Sequence, residues 1–509
     1  MKIKIDMLYI FILLTICIVC FFIFGTNIYS PYSDIGRELY IVEQVKNGDV
    51  LYKDIFNVYF PMGYWINAII IKIFGSSFNT YYGIGTILTI LTILPVYLIT
   101  KLYTNKHIAF TASLFIVVSC AFYPSISNWI TPYSYSIMYA LCATIWSTYF
   151  LVKFIKNKNK IDLYYSSILI GLGITFKYEF ILLALFILLI SLYKKDFFKT
   201  FIAVISIPLI ALTILFIQGC TFNDLLQALN YMIGISKSHS AKFFYQFAGI
   251  TFSLDSFILS IYKSFHPQFR SIFGLICYIN LIILVFTLIK KNYLVSLILF
   301  IGLITSIKSL GGISFEVYGT YFFPLLFIGL IITIYSKGGK IKTIILSIIC
   351  LILTSCYFTY GIKEQIKYTK IQTSKGAISI PKVFKKSTIE IINYIEKNIK
   401  KDESILILPE GALINFITDN KSDNFLYYLI PPNTDIFDEE FINNKIKEKK
   451  IDYIITTNIQ YPWYNEKSFM TGWGTKYLNL IQSEYKQYDV IGDNLKFYIF
   501  KHDIINKKD

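Results

Sequence analysis

The sequence predicts a polytopic α-helical membrane protein of about eleven transmembrane helices with a small C-terminal extracytoplasmic α/β domain. Three observations carry this expectation. Of the 509 residues, 55% are hydrophobic and 16% charged, whereas about a quarter of a soluble chain is charged. Apolar runs that approach the ~20 residues needed to cross a hydrocarbon core begin near Leu8, Gly83, Ile108, Tyr133, Leu163, Phe180, Thr200, Ser271, Tyr293, Tyr318 and Ile341. Beyond Tyr360 the composition changes: residues 364–509 hold twenty acids and twenty-one bases, against twelve and twenty-seven before them.

The first run follows Lys2 and Lys4 and ends in "FFIFGTNIYS", which offers no small-x-small cleavage site, so it reads as an uncleaved anchor with a cytoplasmic start. Cys17 and Cys20 lie within it. All eight cysteines sit in or beside apolar segments, which supports neither a disulfide framework nor a structural zinc site. Lys and Arg then recur in alternate loops, "KLYTNKH", "KFIKNKNK", "KKDFFK", "KKN" and "SKGGKIK", the positive-inside pattern. The formal charge of +16 is therefore ascribed to topology and not to nucleic acid. The same register puts nine of the twelve acids before Glu364 outside: Asp34, Glu38, Glu43, Asp49, Asp54, Glu179, Asp224, Asp255 and Glu316.

Two outer loops are long, 26–79 and 218–270, and loops of that length are more often functional than idle. The first holds a helical stretch "DIGRELYIVEQVKNG", ended by Gly48. After Pro61 comes "GYWINAIIIKIFG", too short to span comfortably and expected in the interface. The second is rich in aromatics and holds two of the four histidines. The chain divides into a transmembrane part, 1–362, and an outer part, 363–509. In the latter, "STIEIINYIEKNIKK" reads as a helix opened by a capping box of Ser387 and Glu390. "SILILP", "DYIITT" and "LKFYIFK" read as strands, "EEFINNKIKEKK" as a second helix and "GDN" as a hairpin turn.

Chemistry is expected in the first outer loop. In the sequence D-x-x-R-E a helix puts Asp34 and Glu38 on one face, with Arg37 one turn from Asp34. A carboxylate at the bilayer rim can accept a proton from a hydroxyl, and a flanking guanidinium keeps it ionised. The plain alternative is a solvated helix with an ion pair. Asp54 stands in "LYKDIFNVYFP" as a lone loop acid, and Glu43 and Asp49 read as the solvated side and end of the helix. "FKYEF" sets Lys177 and Glu179 between two short apolar runs, where ionisable groups face a cavity or each other, or anchor a turn by snorkelling.

Further outer cations suited to a phosphate are Lys237, His239, Lys242, Lys263, His266, Arg270 and Lys308, each of which reads equally well as a solvated loop charge. "KSLGGISFEVYGTYFFPLL" places Lys308, Glu316, Tyr318 and Tyr321 at the start of the tenth span. Neither a Walker loop, nor a nucleotide-binding glycine motif, nor tight metal-ligand spacing is present, so the chemistry must draw on an activated substrate or a gradient.

The first span followed by "YSDIGRELYIVEQVKNGDVLYKDIFNVYFPMGYW", the "FKYEF" turn, the "EVYGTYFFPLL" helix start and the tail segment "ILILPEGALINFITDN" resemble the polytopic glycosyltransferases of the GT-C class, specifically the bacterial relatives of protein mannosyltransferases and aminoarabinose transferases. The resemblance covers nearly the whole chain. It implies inverting transfer of a sugar from a polyprenyl-phosphate donor to an envelope glycan, lipid or protein on the outer face of the cytoplasmic membrane. Asp34 matches the acid that acts on the acceptor, and Asp54 a second acid in the same loop. Lys177, Arg270 or Lys308 would hold the lipid phosphate, with Arg37, Glu38, Glu179, His239, His266, Glu316, Tyr318 and Tyr321 as further substrate contacts. The resemblance assigns no certain cofactor, and assistance by a divalent metal stays open. The competing expectations are a flippase or transporter of a lipid-linked sugar and a polysaccharide polymerase or ligase.

Overall fold

The structure, a computed structural model, describes residues 2–24, 27–122, 128–247, 272–305, 319–335, 338–448 and 451–502. Each of the eleven expected apolar runs forms a helix. The chain opens with α1 (Lys2–Phe24), the loop helix α2 (Asp34–Asn47), α3 (Met62–Phe74), α4 (Phe78–Tyr103) and α5 (Lys106–Ile116), which continues as a π-turn over Val117–Ala121. There follow α6 (Tyr135–Asn157), α7 (Lys160–Ile174), α8 (Ile181–Tyr193), α9 (Phe197–Ile217), α10 (Phe222–Lys237) and α11 (His239–Phe247). The bundle is completed by α12 (Ile272–Ile289), α13 (Tyr293–Thr305), α14 (Gly319–Tyr335) and α15 (Lys340–Gln365).

Among the described residues, α1, α4, α6, α9 and α15 contain stretches long and apolar enough to cross a membrane, and α3, α5, α8, α12, α13 and α14 provide shorter apolar helices. The chain is a multi-pass membrane protein. At one end of the bundle three acids are each matched by a lysine: Asp6 with Lys101 at 2.8 Å, Asp162 with Lys153 at 3.0 Å and Asp196 with Lys160 at 3.3 Å.

The other end carries the C-terminal α/β region. Helix α15 leads into the antiparallel hairpin β1 (Tyr368–Thr373) and β2 (Gly376–Pro381), then α16 (Lys385–Asn398), β3 (Ile405–Leu408), α17 (Ala412–Thr418), α18 (Pro431–Ile436) and α19 (Glu439–Glu448). After these come β4 (Tyr453–Thr457), the small pair β5 (Gln460–Tyr461) and β6 (Glu466–Ser468), α20 (Thr475–Glu484), β7 (Tyr485–Ile491) and β8 (Phe497–His502). The main sheet has the order β3-β4-β8-β7, with β3 parallel to β4 (Ile405 opposite Tyr453) and the other neighbours antiparallel. The three strands and the second helix stand where their apolar patterns put them. The capping box does not form. Helix α16 begins at Lys385, so Ser387 is buried inside it and Glu390 faces Lys386 instead. The chain enters from the 3₁₀ turn at Lys382–Phe384, whose Phe384 packs edge-on to Tyr32, and this extends the helix back past the expected start.

The first long loop is the seat of this region. Ile28 N–H donates to Ser379 O at 2.8 Å, Phe56 N–H to Phe425 O at 3.1 Å, and Ser422 N–H to the Tyr40 hydroxyl at 2.9 Å. Helix α17 lies on α2 so closely that a Cβ on Gly36 would stand 2.6 Å from Leu413 N. Helix α2 is consequently covered on most sides, which corrects the expectation of a solvated flank. Glu43 is buried and bonded to Lys46 and Ser76, and Asp49 pairs with Lys421 at 3.2 Å.

Gly36→Val should force the two helices apart. We expect a stability loss of roughly 1–3 kcal/mol from overpacking, read as a lower thermal midpoint in detergent together with faster amide exchange over residues 33–44 and 409–428.

Candidate active site

Helix α2 starts where an extended Ser33 hands over to Asp34, and Arg37, one turn later, is ion-paired with Asp34. The same guanidinium turns toward the C-terminal region: its Nε is 3.5 Å from Glu410 Oε1, and its carbon lies 4.4 Å from the centroid of the Tyr428 ring. Glu410 follows β3 and Pro409 and leads into α17, a position that aims it down at α2. It is 7% exposed, and its Oε2 accepts the Tyr461 hydroxyl at 3.0 Å. Burial raises the Glu410 carboxyl above its ordinary range, opposed by the charge of Arg37 and the bond from Tyr461. Burial also works against the charge on Arg37, but Tyr428 and Glu410 outweigh it and the guanidinium stays protonated.

Glu38 is 3% exposed and turned inward. It accepts the Tyr64 hydroxyl at 2.5 Å and Tyr135 N–H at 3.1 Å, which ties α2 to α3 and to the first turn of α6. Burial pushes its carboxyl up to about 7, against the hydrogen bonds from Tyr64 and Tyr135. Two carboxylates four residues apart are thereby given different surroundings: Asp34 partly exposed beside a cation, Glu38 enclosed among hydrogen-bond donors.

Lys177 enters from the turn between α7 and α8 and is 4% exposed. Its Nζ donates to the Tyr133 hydroxyl at 2.7 Å, lies 3.7 Å from Glu179 Oε1, and stands 5.2 and 5.3 Å from the Tyr59 and Tyr133 ring centroids. Aromatic faces stabilise a desolvated ammonium, and Glu179 pairs with it at the longer distance. Tyr133 in turn packs edge-on to the buried Tyr321. Asp34, Arg37 and Glu410 thus meet beneath the C-terminal α/β region, with Glu38 one residue on in α2, and Lys177, Glu179 and Tyr321 are grouped around Tyr133.

The other expected residues fall elsewhere. Asp54 is exposed and its carboxylate accepts Val50 N–H at 2.9 Å, closing a turn. His239 begins α11, stacks edge-on to Phe243, and sits beside Glu466 of the small strand pair. Lys237 and Lys242 are exposed. Lys263, His266, Arg270, Lys308, Glu316 and Tyr318 lie outside the described residues. Residues that sequence reasoning passed over are Tyr59, Tyr133, Tyr428, Tyr461 and Glu410. The signal for Glu410 was its place directly after an apolar strand in "ILILPEG"; the tyrosines carried none, being among 41 in the chain. Among the described residues no group of three or more His, Cys, Asp or Glu is arranged to hold a metal ion.

Residues 60–219 match the family described as dolichyl-phosphate-mannose-protein mannosyltransferase. No curated protein matches the chain in sequence. Among solved structures, ArnT from Cupriavidus metallidurans in the apo state superposes with a TM-score of 0.55 at 9% identity, covering 98% of this chain and 98% of that one. ArnT bound to undecaprenyl phosphate gives 0.52 at 9% identity, covering 97% of each chain. The Archaeoglobus fulgidus oligosaccharyltransferase, in complex with Zn and sulfate, gives 0.54 at 12% identity, covering 96% of this chain and 72% of that one. This is the GT-C fold. The shared fold and the family match together agree with the expected enzyme class, a glycosyltransferase that uses sugars carried on lipid phosphate. In this GT-C fold the Asp34–Arg37–Glu410 group lies where the first loop meets the C-terminal region.

The Glu38 environment has a consequence for pH. Its folded value near 7 lies above the ~4.3 of a free glutamate. Its contribution to stability is therefore fully present below the unfolded value and is lost as pH rises through 7. Glu38→Gln, which cannot ionise, should flatten that decline in a series of thermal midpoints between about pH 4 and 8 and leave the acid-side midpoint close to wild type, because its amide oxygen can still accept Tyr135 N–H and its NH2 can donate to the Tyr64 hydroxyl as the protonated acid does. Glu410 and Glu466, both raised by burial, should contribute slope of the same sign.

Proposed function

We propose that this GT-C protein transfers a sugar from a polyprenyl-phosphate donor to a hydroxyl of an envelope glycan, lipid or protein, on the outer face of the cytoplasmic membrane. The observation that carries the reading is a pair of charge centres fed by separate parts of the chain: Asp34 ion-paired with Arg37 on α2, and Lys177, 4% exposed, held by the Tyr133 hydroxyl, Glu179 and the Tyr59 ring. A base and an anion-binding cation at one site are the two groups that displacement of a lipid phosphate requires. The orientation rests on the positive-inside pattern, with the N-terminus cytoplasmic and the C-terminal region outside.

In the reaction, the acceptor oxygen attacks the anomeric carbon as the bond from that carbon to the phosphate oxygen breaks. Configuration inverts, the hydroxyl proton passes to Asp34, and the electron pair leaves with the polyprenyl phosphate. Such a phosphate is a good leaving group and needs no general acid. What it needs is a fixed positive charge, which Lys177 presents from a dry, preorganised setting. The isoprenoid tail remains in the bilayer. The undecaprenyl phosphate in the ArnT structure and the tethered acceptor peptide in another oligosaccharyltransferase structure support a lipid-phosphate donor and an acceptor approaching the same fold.

Purified Asp34→Asn, given lipid-linked sugars and envelope acceptors, should lose transfer by roughly 10²–10⁴-fold while still binding the donor. Lys177→Gln should instead weaken donor binding and turnover together, by about 10²-fold or more. Mass spectrometry of envelope glycans and lipid-linked sugars with and without the gene should show accumulated donor and a missing sugar. Donor trapped on the inner leaflet would replace this reading with a flippase.

A further inference from the structure

We propose that Glu410 is a positioning residue for the transfer reaction: it shares the Arg37 guanidinium with Asp34, so the C-terminal region completes the active site as well as covering it. The inference rests on the reading of Asp34 as the base. Arg37 is held on three sides, by Asp34 within α2, by Glu410 at 3.5 Å and by the Tyr428 ring at 4.4 Å. Two of these three belong to the C-terminal region. Glu410 is itself held by the Tyr461 hydroxyl at 3.0 Å, and Tyr461 is buried at the start of the small strand pair.

Two physical arguments favour a role in the reaction over one in packing. A buried carboxylate carries a desolvation penalty that an apolar side chain of similar volume avoids, and replacing buried ion pairs by such residues is often stabilising. Packing α17 on α2 does not call for an acid here, since Gly36 and Leu413 already make the contact. Secondly, an arginine paired with a single carboxylate would concentrate its charge there and make that carboxylate a poor base. A second carboxylate shares the guanidinium's charge, leaving Asp34 oriented yet able to take a proton. Tyr461, in turn, keeps Glu410 from swinging away.

The test uses the full-length protein in nanodiscs, with a lipid extract of cells lacking the gene as the source of donor and acceptor, and product read by mass spectrometry across pH. Glu410→Gln keeps size and loses charge. Its turnover should fall about tenfold to a hundredfold, and the acid limb of the pH profile should move down by about half a unit or more, because Asp34 then faces Arg37 alone. Glu410→Asp, which restores the charge, should recover most of the turnover. Tyr461→Phe should move the acid limb in the same direction by less, and it decides the matter if Glu410→Gln fails to accumulate. Wild-type turnover and an unmoved acid limb in these variants would overturn the proposal. So would a loss in Glu410→Gln that follows only the amount of folded protein and that Glu410→Asp does not relieve. If Asp34→Asn transfers normally, the base assignment fails and this inference with it. An inactive Asp34→Asn beside a fully active Glu410→Gln overturns the positioning role alone.

Discussion

The close approach of α2 and α17 is the contact on which the site depends. Gly36 has no side chain, and Leu413 brings its backbone into the space that a Cβ would fill. At this separation Glu410, one residue ahead of Gly411 and the start of α17, reaches Arg37, and Tyr428 comes under the guanidinium. A wider gap would leave Arg37 to Asp34 alone and would open Glu410 to water. Chain connectivity fixes none of this by itself, because α2 and α17 stand at opposite ends of the sequence. The backbone bonds from Ile28 to Ser379 and from Phe56 to Phe425 clamp the loop on both sides of that contact.

Around the contact the protein buries charge that it could have kept in water. Glu38, Glu410 and Lys177 are each less than a tenth exposed. Burial of this kind is tolerated only when every charge finds donors or acceptors, and here tyrosines supply them: Tyr64 to Glu38, Tyr461 to Glu410 and Tyr133 to Lys177. Phenols suit the task because they hydrogen-bond a charge without cancelling it. The far end of the bundle uses the same kinds of partner: Asp6, Asp162 and Asp196 are each matched by a lysine, and the Tyr97 and Tyr164 hydroxyls donate to Asp6 and Asp196. The enclosed groups meet substrate with their dipoles already oriented, which is what stabilises developing charge in a dry site.

The first loop shows how far a linear reading reaches. The helix from Asp34, its end at Gly48 and the pairing of Asp34 with Arg37 were legible, because i to i+3 spacing and a left-handed glycine are local properties. Glu43 was not legible. As a lone acid near the end of the helix it reads as solvated, and only the covering of α2 by other parts of the chain makes it buried and bonded to Ser76. Ser387 misled for a related reason: the capping pattern is present, but Phe384 packing on Tyr32 carries the helix back through it. Lys177 was noticed as a charge between apolar runs, while its aromatic walls come from two separate segments, at Tyr59 and Tyr133. Asp54 and His239 looked like site residues by type and loop position, yet one closes a turn and the other borders the small strand pair.

What the sequence by itself determined is the membrane class, the segments that become helices, the charge asymmetry between loops and the strands of the C-terminal region. These follow from composition and periodicity, which act over a few turns of chain and survive any arrangement in space. Which acids are buried, which cation stands beside which phenol, and the partnership of Arg37 with Glu410 were decided only in the tertiary structure. They depend on distances between segments hundreds of residues apart, set by a backbone contact at a single glycine, and no local pattern encodes such a distance.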